Sequence, residues 1–211
     1  MERCIAIYGA SGFGREVMPL VRAQHDGPGV NMVFVDDGLA DGGRVLSFDD
    51  FLKRPEPRKQ FVIAIANSAV RETLAERCLA AGLESLAVRA ANVVTLDDVA
   101  IGEGSILCPF ALVTSTVRIG RFFHGNYHSY VAHDCVIGDF VTFAPGAKCN
   151  GNVHIDDHAY IGSGAVLKQG TPDRPRRIGR GAVIGMGAVV TKDVAAGETV
   201  VGNPARPLRR S

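Results

Sequence analysis

A chain of 211 residues with 46% apolar content is long enough for one core or two, and 23 basic against 22 acidic residues leave a formal charge of +1. That balance makes no electrostatic case for a nucleic-acid or membrane partner. Five cysteines, at 4, 78, 108, 135 and 149, form no C-x-x-C pair, and their odd number argues against a disulfide framework. No apolar run reaches the length of a membrane span, and Met-Glu-Arg-Cys opens on a strand rather than a signal peptide, so a cytoplasmic protein is expected.

Residues 4 to 9, Cys-Ile-Ala-Ile-Tyr-Gly, predict a buried strand, and from Gly14 to about Gln24 the residues Val17, Leu20 and Val21 recur at helical spacing. Met32 to Val35 predicts a second strand, ending at Asp36-Asp37. Gly38 to Lys59, rich in Gly, Asp and Pro, predicts only a short strand and a turn of helix. Phe61 to Ala66 is a third apolar strand, and Ser68 to Ala81 a helix with Val70, Leu74, Cys78 and Leu79 on one face and Gly82 as a stop. The alternation predicts a small α/β Rossmann-like domain with a parallel sheet over residues 1–88.

Gly9-Ala10-Ser11-Gly12-Phe13-Gly14 joins the first strand to the first helix. Glycines there let the backbone bend sharply and approach a ligand, and N–H groups at a helix start attract phosphate. Gly9, Ser11, Gly12 and Gly14 are therefore candidate binding residues. Asp36 and Asp37 join them, since a carboxylate at the end of the second strand reaches a ribose hydroxyl or a base. The spacing is G-x-x-G-x-G, not the dinucleotide fingerprint G-x-G-x-x-G, and it leaves NAD and a nucleotide-sugar both open.

From Ile101 an aliphatic residue returns every sixth position, through Leu107, Val113, Ile119, Val131, Ile137, Phe143, Cys149, Ile155, Ile161 and Leu167, with Gly125 in the series. The frame slips five residues and resumes at Ile178, Ile184 and Val190. Fifth places are small or β-branched, Phe123 being the large one. One inward side chain per short strand, with a small one beside each corner, predicts a triangular parallel β-helix of three hexads per coil over residues 89–211. Residues eighteen apart then stack at ~4.8 Å. His133 is a third-place, outward residue followed by Asp134, and Gly151 stacks directly above it. A possible general base is thus paired with a carboxylate beneath a glycine whose N–H could serve an oxyanion.

The hexads, written [I/L/V]-G-x-x-[A/S/V/C]-x, resemble the left-handed parallel β-helix of the hexapeptide-repeat acyltransferases. The string Asn126-x6-His133-Asp134-Cys135-Val136-Ile137-Gly138-Asp139, with Asn150-Gly151-Asn152 after it, resembles the active-site coil of the sialic-acid O-acetyltransferase-like family of sugar acetyltransferases. The resemblance implies a left hand, a homotrimer with sites between adjacent prisms, and an α/β domain that binds a nucleotide-sugar rather than NAD. It implies acetyl transfer from acetyl-CoA to a sugar amine or hydroxyl in glycan or surface-polysaccharide biosynthesis, N-acetylation first and O-acetylation as the alternative. His133 matches the family's base, Asp134 the residue that orients it, and Gly151 the oxyanion donor. Asn126 becomes a candidate acceptor contact. Thr142, Gly151, Gly164, Gly185, Gly187, Asn203, Pro204 and Ala205 are the candidate coenzyme A contacts. Thr142 departs from the family, at least one amino-sugar member having a second histidine there.

The remaining features carry less. His124, His154 and His158 are expected to pack at the surface. His128-x4-His133 resembles part of the zinc site of trimeric β-helical carbonic anhydrases, but position 92, where a further histidine belongs, is Asn, so no metal is expected. The slip after Leu167 is the loop Gly170 to Arg177, with three arginines and two prolines. It reads equally as a basic finger meeting the 3′-phosphate or pyrophosphate of coenzyme A and as a solvated loop holding the register. Arg206, Arg209 and Arg210 could serve the same anion. Two rival classes use less of the chain: an NAD-dependent oxidoreductase leaves His133, Asp134 and Gly151 unexplained and lacks a Tyr-x-x-x-Lys, and a non-catalytic trimeric scaffold uses only the rigidity.

Overall fold

The computed structural model describes residues 2–208, and the chain divides between Val88 and Arg89 into two compact units. In the first, β1 (Arg3–Tyr8), β2 (Val30–Val35), β3 (Val45–Leu46), β4 (Arg58–Ile63) and β5 (Glu84–Ser85) form one parallel sheet in the order β3-β2-β1-β4-β5. Central β1 is apolar from Cys4 to Tyr8 because a parallel strand is covered on both faces. Chain order reverses between β1 and β4, the switch point outside whose strand ends α/β sheets take ligands.

Helix α1 (Gly12–His25) buries Gly14, Val17, Met18 and Val21, one helical stripe. It starts two residues ahead of the expected Gly14. Helix α2 (Phe48–Leu52) is capped by Ser47, which accepts from the Asp50 N–H. Helix α3 (Ser68–Ala80) is capped by Asn67 but buries Arg71, Ala75 and Cys78. The expected face is therefore turned: Val70 is 44% exposed and Arg71 fully buried. The reason is local, since the Arg71 guanidinium donates to the carbonyls of Ile65 (2.7 Å) and Ala66 (3.2 Å), where β4 ends.

The second unit is a left-handed parallel β-helix, its short strands stacked in three sheets. Pairs such as Leu112↔Tyr130, Val136↔His154 and Thr142↔Tyr160 show the eighteen-residue coil, and the pairs Tyr160↔Val183 and Val166↔Val189 show the five-residue insertion absorbed without breaking the stack. First-place residues from Leu107 to Val190 are buried, and so are the small fifth-place ones. At the far end the strand Thr199–Val201 is followed by an antiparallel strand, Arg206–Pro207, pairing Val200↔Pro207 and Val201↔Arg206.

Fourth places turn the corners in the left-handed region. Asp98, Thr116, Asp134 and Asn152 share one corner, Phe110 and His128 a second, Phe122, Phe140 and His158 the third, all at φ between 53° and 63°. Asn and Asp tolerate this conformation; a bulky aromatic is an outlier. Stacking offsets the cost: Phe122 and Phe140 lie 5.3 Å apart and nearly parallel, Phe140 and His158 5.4 Å, Phe110 and His128 4.8 Å. His124, expected at the surface, is instead buried at 1% exposure in the strand His124–Gly125.

Candidate active site

Successive side chains of an extended strand point to opposite faces and cannot meet. His133 and Asp134 meet because Asp134 has φ 56°, which folds its carboxylate back toward the preceding ring. His133 Nδ1 lies 2.7 Å from Asp134 Oδ2. With Nδ1–H donating a hydrogen bond to the carboxylate, Nε2 keeps its lone pair and can accept a proton. Both side chains are about half exposed.

Gly151 covers the ring. A Cβ at this position would sit 2.5 Å from His133 Cε1 and 2.6 Å from Nε2, so a glycine is what lets the next coil lie over the imidazole. The Gly151 carbonyl accepts from the Gly170 N–H at 3.0 Å, while its own N–H makes no hydrogen bond among the described residues. A ring nitrogen with a lone pair and a donor beside it can together take a proton and stabilise an oxyanion. Behind them Cys135 and Cys149, fully buried and unbridged, lie 3.8 Å apart.

The other expected residues divide. Asn126 Nδ2 donates to the Phe143 carbonyl at 2.9 Å, as Asn150 Nδ2 does to Leu167, so both side-chain amides tie coils together. Thr142, a candidate coenzyme A contact, is 4% exposed. Gly164 and Gly187 are open corners at φ 66° and 67°, and Gly185 is held close against Val201. Asn203, Pro204 and Ala205 follow Gly202 in an exposed turn, the Ala205 N–H donating to Val189 at 2.8 Å. Arg206 is exposed; Arg209 and Arg210 lie outside the described residues.

In the α/β unit Gly9 has φ 104°, and a Cβ there would press on the Ala64 carbonyl at 3.0 Å. A Cβ on Gly14 would collide with Gly9 O, whereas one on Gly12 would meet nothing within 4 Å. Ser11 precedes α1 without a side-chain cap bond. Asp36 braces this turn, its two oxygens accepting from the N–H groups of Ala10 and Gly38, 3.1 Å each. Asp37 accepts from the Phe48 N–H (2.7 Å), Arg77 (2.6 Å) and the Tyr8 hydroxyl (2.9 Å). Desolvation works to raise the Asp37 pKa, but these three donors outweigh it and hold the carboxyl below its ordinary range. Arg77 also lies 4.0 Å over the Phe48 ring.

Over 97% of its length the chain is 54% identical to a GDP-perosamine N-acetyltransferase of Escherichia coli O157:H7, covering 96% of that protein. The chain belongs to the hexapeptide-repeat sugar acetyltransferases. Among solved structures of these sugar acetyltransferases and their relatives, WeeI of Acinetobacter baumannii AYE matches with TM-score 0.93 and 61% identity, over 98% of this chain and all of that one. The acetyltransferase domain of PglB from Neisseria gonorrhoeae FA1090, in complex with acetyl coenzyme A, matches with TM-score 0.85 and 29% identity, over 99% of this chain and all of that one. Residues 4–78 match the PglD N-terminal domain. Membership accounts for the whole chain, which the NAD-dependent and scaffold readings do not. No helix among the described residues is long and apolar enough to cross a membrane.

Reading the sequence missed the partners of Asp37. Tyr8 and Arg77 carry no motif and are separated from it by 29 and 40 positions. Their one signal is placement, Tyr8 being the last residue of the central strand.

Proposed function

We propose that this sugar acetyltransferase transfers the acetyl group of acetyl-CoA to the amine of a GDP-linked amino-sugar. The observation that carries the reading is the His133, Asp134 and Gly151 corner, in a chain 54% identical throughout to a GDP-perosamine N-acetyltransferase. His133 Nε2 takes the proton as the sugar nitrogen attacks the thioester carbonyl, and Asp134 holds the ring's tautomer and orientation. The Gly151 N–H steadies the tetrahedral oxyanion, a kind of donor worth roughly 2.7–4 kcal/mol. The intermediate collapses by C–S cleavage, and the proton on His133 passes to the departing thiolate. No covalent enzyme intermediate is needed.

The α/β unit holds the nucleotide: the start of α1 supplies N–H groups for the diphosphate, and Asp36 a carboxylate at the end of β2. The coils around Gly164, Gly185, Gly187 and Asn203 to Ala205 receive coenzyme A. The active form is a homotrimer. One outer face of the prism carries the column Val94, Leu112, Tyr130, Lys148, Val166 and Val189, stacked in register and mostly apolar, whereas a second carries Ala100, Arg118, Val136, His154 and Arg177. The apolar face is the one suited to association. A cytoplasmic location follows from soluble substrates. Thiol release from acetyl-CoA, measured with GDP-, UDP- and dTDP-linked amino-sugars, tests the reading: release that depends on the GDP acceptor is expected, and release with no acceptor dependence would overturn it.

A further inference from the structure

The Gly151 N–H is one half of a peptide group whose other half is the Asn150 carbonyl. Among the described residues no backbone N–H donates to that carbonyl. A peptide oxygen turned into a packed core needs a donor. Two thiols stand where one is needed: Cys135 Sγ lies 3.3 Å from Asn150 O and Cys149 Sγ 3.6 Å. The Cys135 sulfur is also 3.6 Å from the His133 carbonyl, but the Asn152 N–H already serves that oxygen at 3.0 Å. The Cys135 proton therefore goes to Asn150, the shorter contact and the oxygen without another donor of its own backbone. Cys149 Sγ, 3.8 Å from Cys135 Sγ, backs it from behind. A hydroxyl does the same duty elsewhere in the solenoid, Ser105 Oγ donating to the Gly102 carbonyl at the same hexad place, 2.8 Å away.

A trans peptide points its C=O and its N–H in opposite directions. Thiols that hold the Asn150 oxygen inward thereby hold the Gly151 N–H outward, over the face where His133 stands and where that N–H has no partner among the described residues. A hydrogen bond accepted by the carbonyl also polarises the peptide and makes its N–H a better donor. We propose that Cys135, supported by Cys149, is a positioning residue for catalysis, its buried thiol fixing and strengthening the Gly151 donor from behind. Both cysteines are fully buried, so neither touches a substrate. The inference rests on the acetyl transfer proposed above, in which the Gly151 N–H faces the thioester oxygen.

Three substitutions of Cys135 in the full-length protein separate a donor from a core filler. Serine keeps a proton to donate, alanine removes it, and valine removes it while filling the space. Thiol release from acetyl-CoA with the GDP-linked amino-sugar at pH 7 gives kcat and KM. The Gly151 amide proton is followed by NMR with isotope-labelled glycine and assigned through its absence in Gly151→Ala. Cys135→Ala and Cys135→Val should lower kcat about three- to tenfold, the effect of losing one weak hydrogen bond, with KM for both substrates nearly unchanged. Cys135→Ser should keep kcat close to the wild type. The Gly151 amide proton should move upfield with alanine and valine and much less with serine. Unchanged kcat in Cys135→Ala, or a valine variant more active than the serine one, overturns the proposal, because a filler tolerates valine and is harmed by a buried hydroxyl. Alanine cannot overfill the core, so its result stands even where valine unfolds the protein. A wild type without acceptor-dependent release would instead refute the transfer reading, and an amide proton unmoved by alanine would refute the thiol tie whether or not the transfer holds.

Discussion

Gly151→Ala should separate catalysis from stability at one atom. The Gly151 backbone lies outside the left-handed region, so alanine is allowed there, but the new methyl would stand 2.5 Å from His133 Cε1. An ordinary carbon–carbon contact is about 3.5 Å, so the imidazole must withdraw by about 1 Å. It has room, its side chain being 58% exposed, and the fold should lose well under about 1 kcal/mol. The 2.7 Å bond to Asp134 cannot survive the move unchanged. A misplacement of about 1 Å costs on the order of 10²-fold in rate, approaching the 10²–10⁴ expected for His133→Ala. Steady-state thiol release gives kcat, and thermal melting gives stability. A variant that keeps kcat within twofold, or one that loses activity only together with several degrees of Tm, would refute the reasoning.

Gly12→Val should leave the melting temperature nearly unchanged, because a Cβ there meets nothing within 4 Å, yet abolish binding of the GDP-sugar while sparing coenzyme A; calorimetry showing intact GDP-sugar affinity would move the nucleotide elsewhere. Asp37 has a folded-state pKa below its ordinary 3.8, so it adds stability above that value that is lost as pH falls through the folded pKa. Asp37→Asn should accordingly melt below the wild type at pH 7 and converge with it as pH falls below 3.8 and through the folded pKa; a gap constant across that range would sink the assignment. Leu112→Glu, in the middle of the apolar outer column, should yield folded monomers without activity. Sedimentation showing an active monomer would remove the trimer from the mechanism.

The solenoid was legible because its signal repeats: each coil states the same inward positions again, and a five-residue slip shows as a change of phase. His133 could be placed outward, under Gly151, by counting alone. What counting could not supply was the conformation at Asp134, where a left-handed corner brings neighbouring side chains together. It also hid the aromatic corners. Phe122, Phe140 and His158 occupy positions where steric rules favour Gly, Asn or Asp, and only contact between coils makes them tolerable. Thr142 and His124 share a register position and are both buried, although the hexad pattern puts that place outward. The α/β unit followed the alternation of its elements, but the Asp37 donors come from β1, α2 and α3, so a local motif could reveal only the carboxylate.

A parallel solenoid has an unpaired row of peptide groups wherever its coils stop, and a second copy of the same coil is the natural thing to fill it. Here the strand Thr199–Val201 is covered by Arg206–Pro207, running the opposite way and ending in a residue with no N–H to offer. A coil arriving in the parallel sense on this sheet, one of the three, meets a reversed strand and a missing donor. The few residues that fold the chain back through Asn203 to Ala205 therefore also shield that sheet's last edge from a second copy. A chain cut after Gly202 should lengthen into filaments.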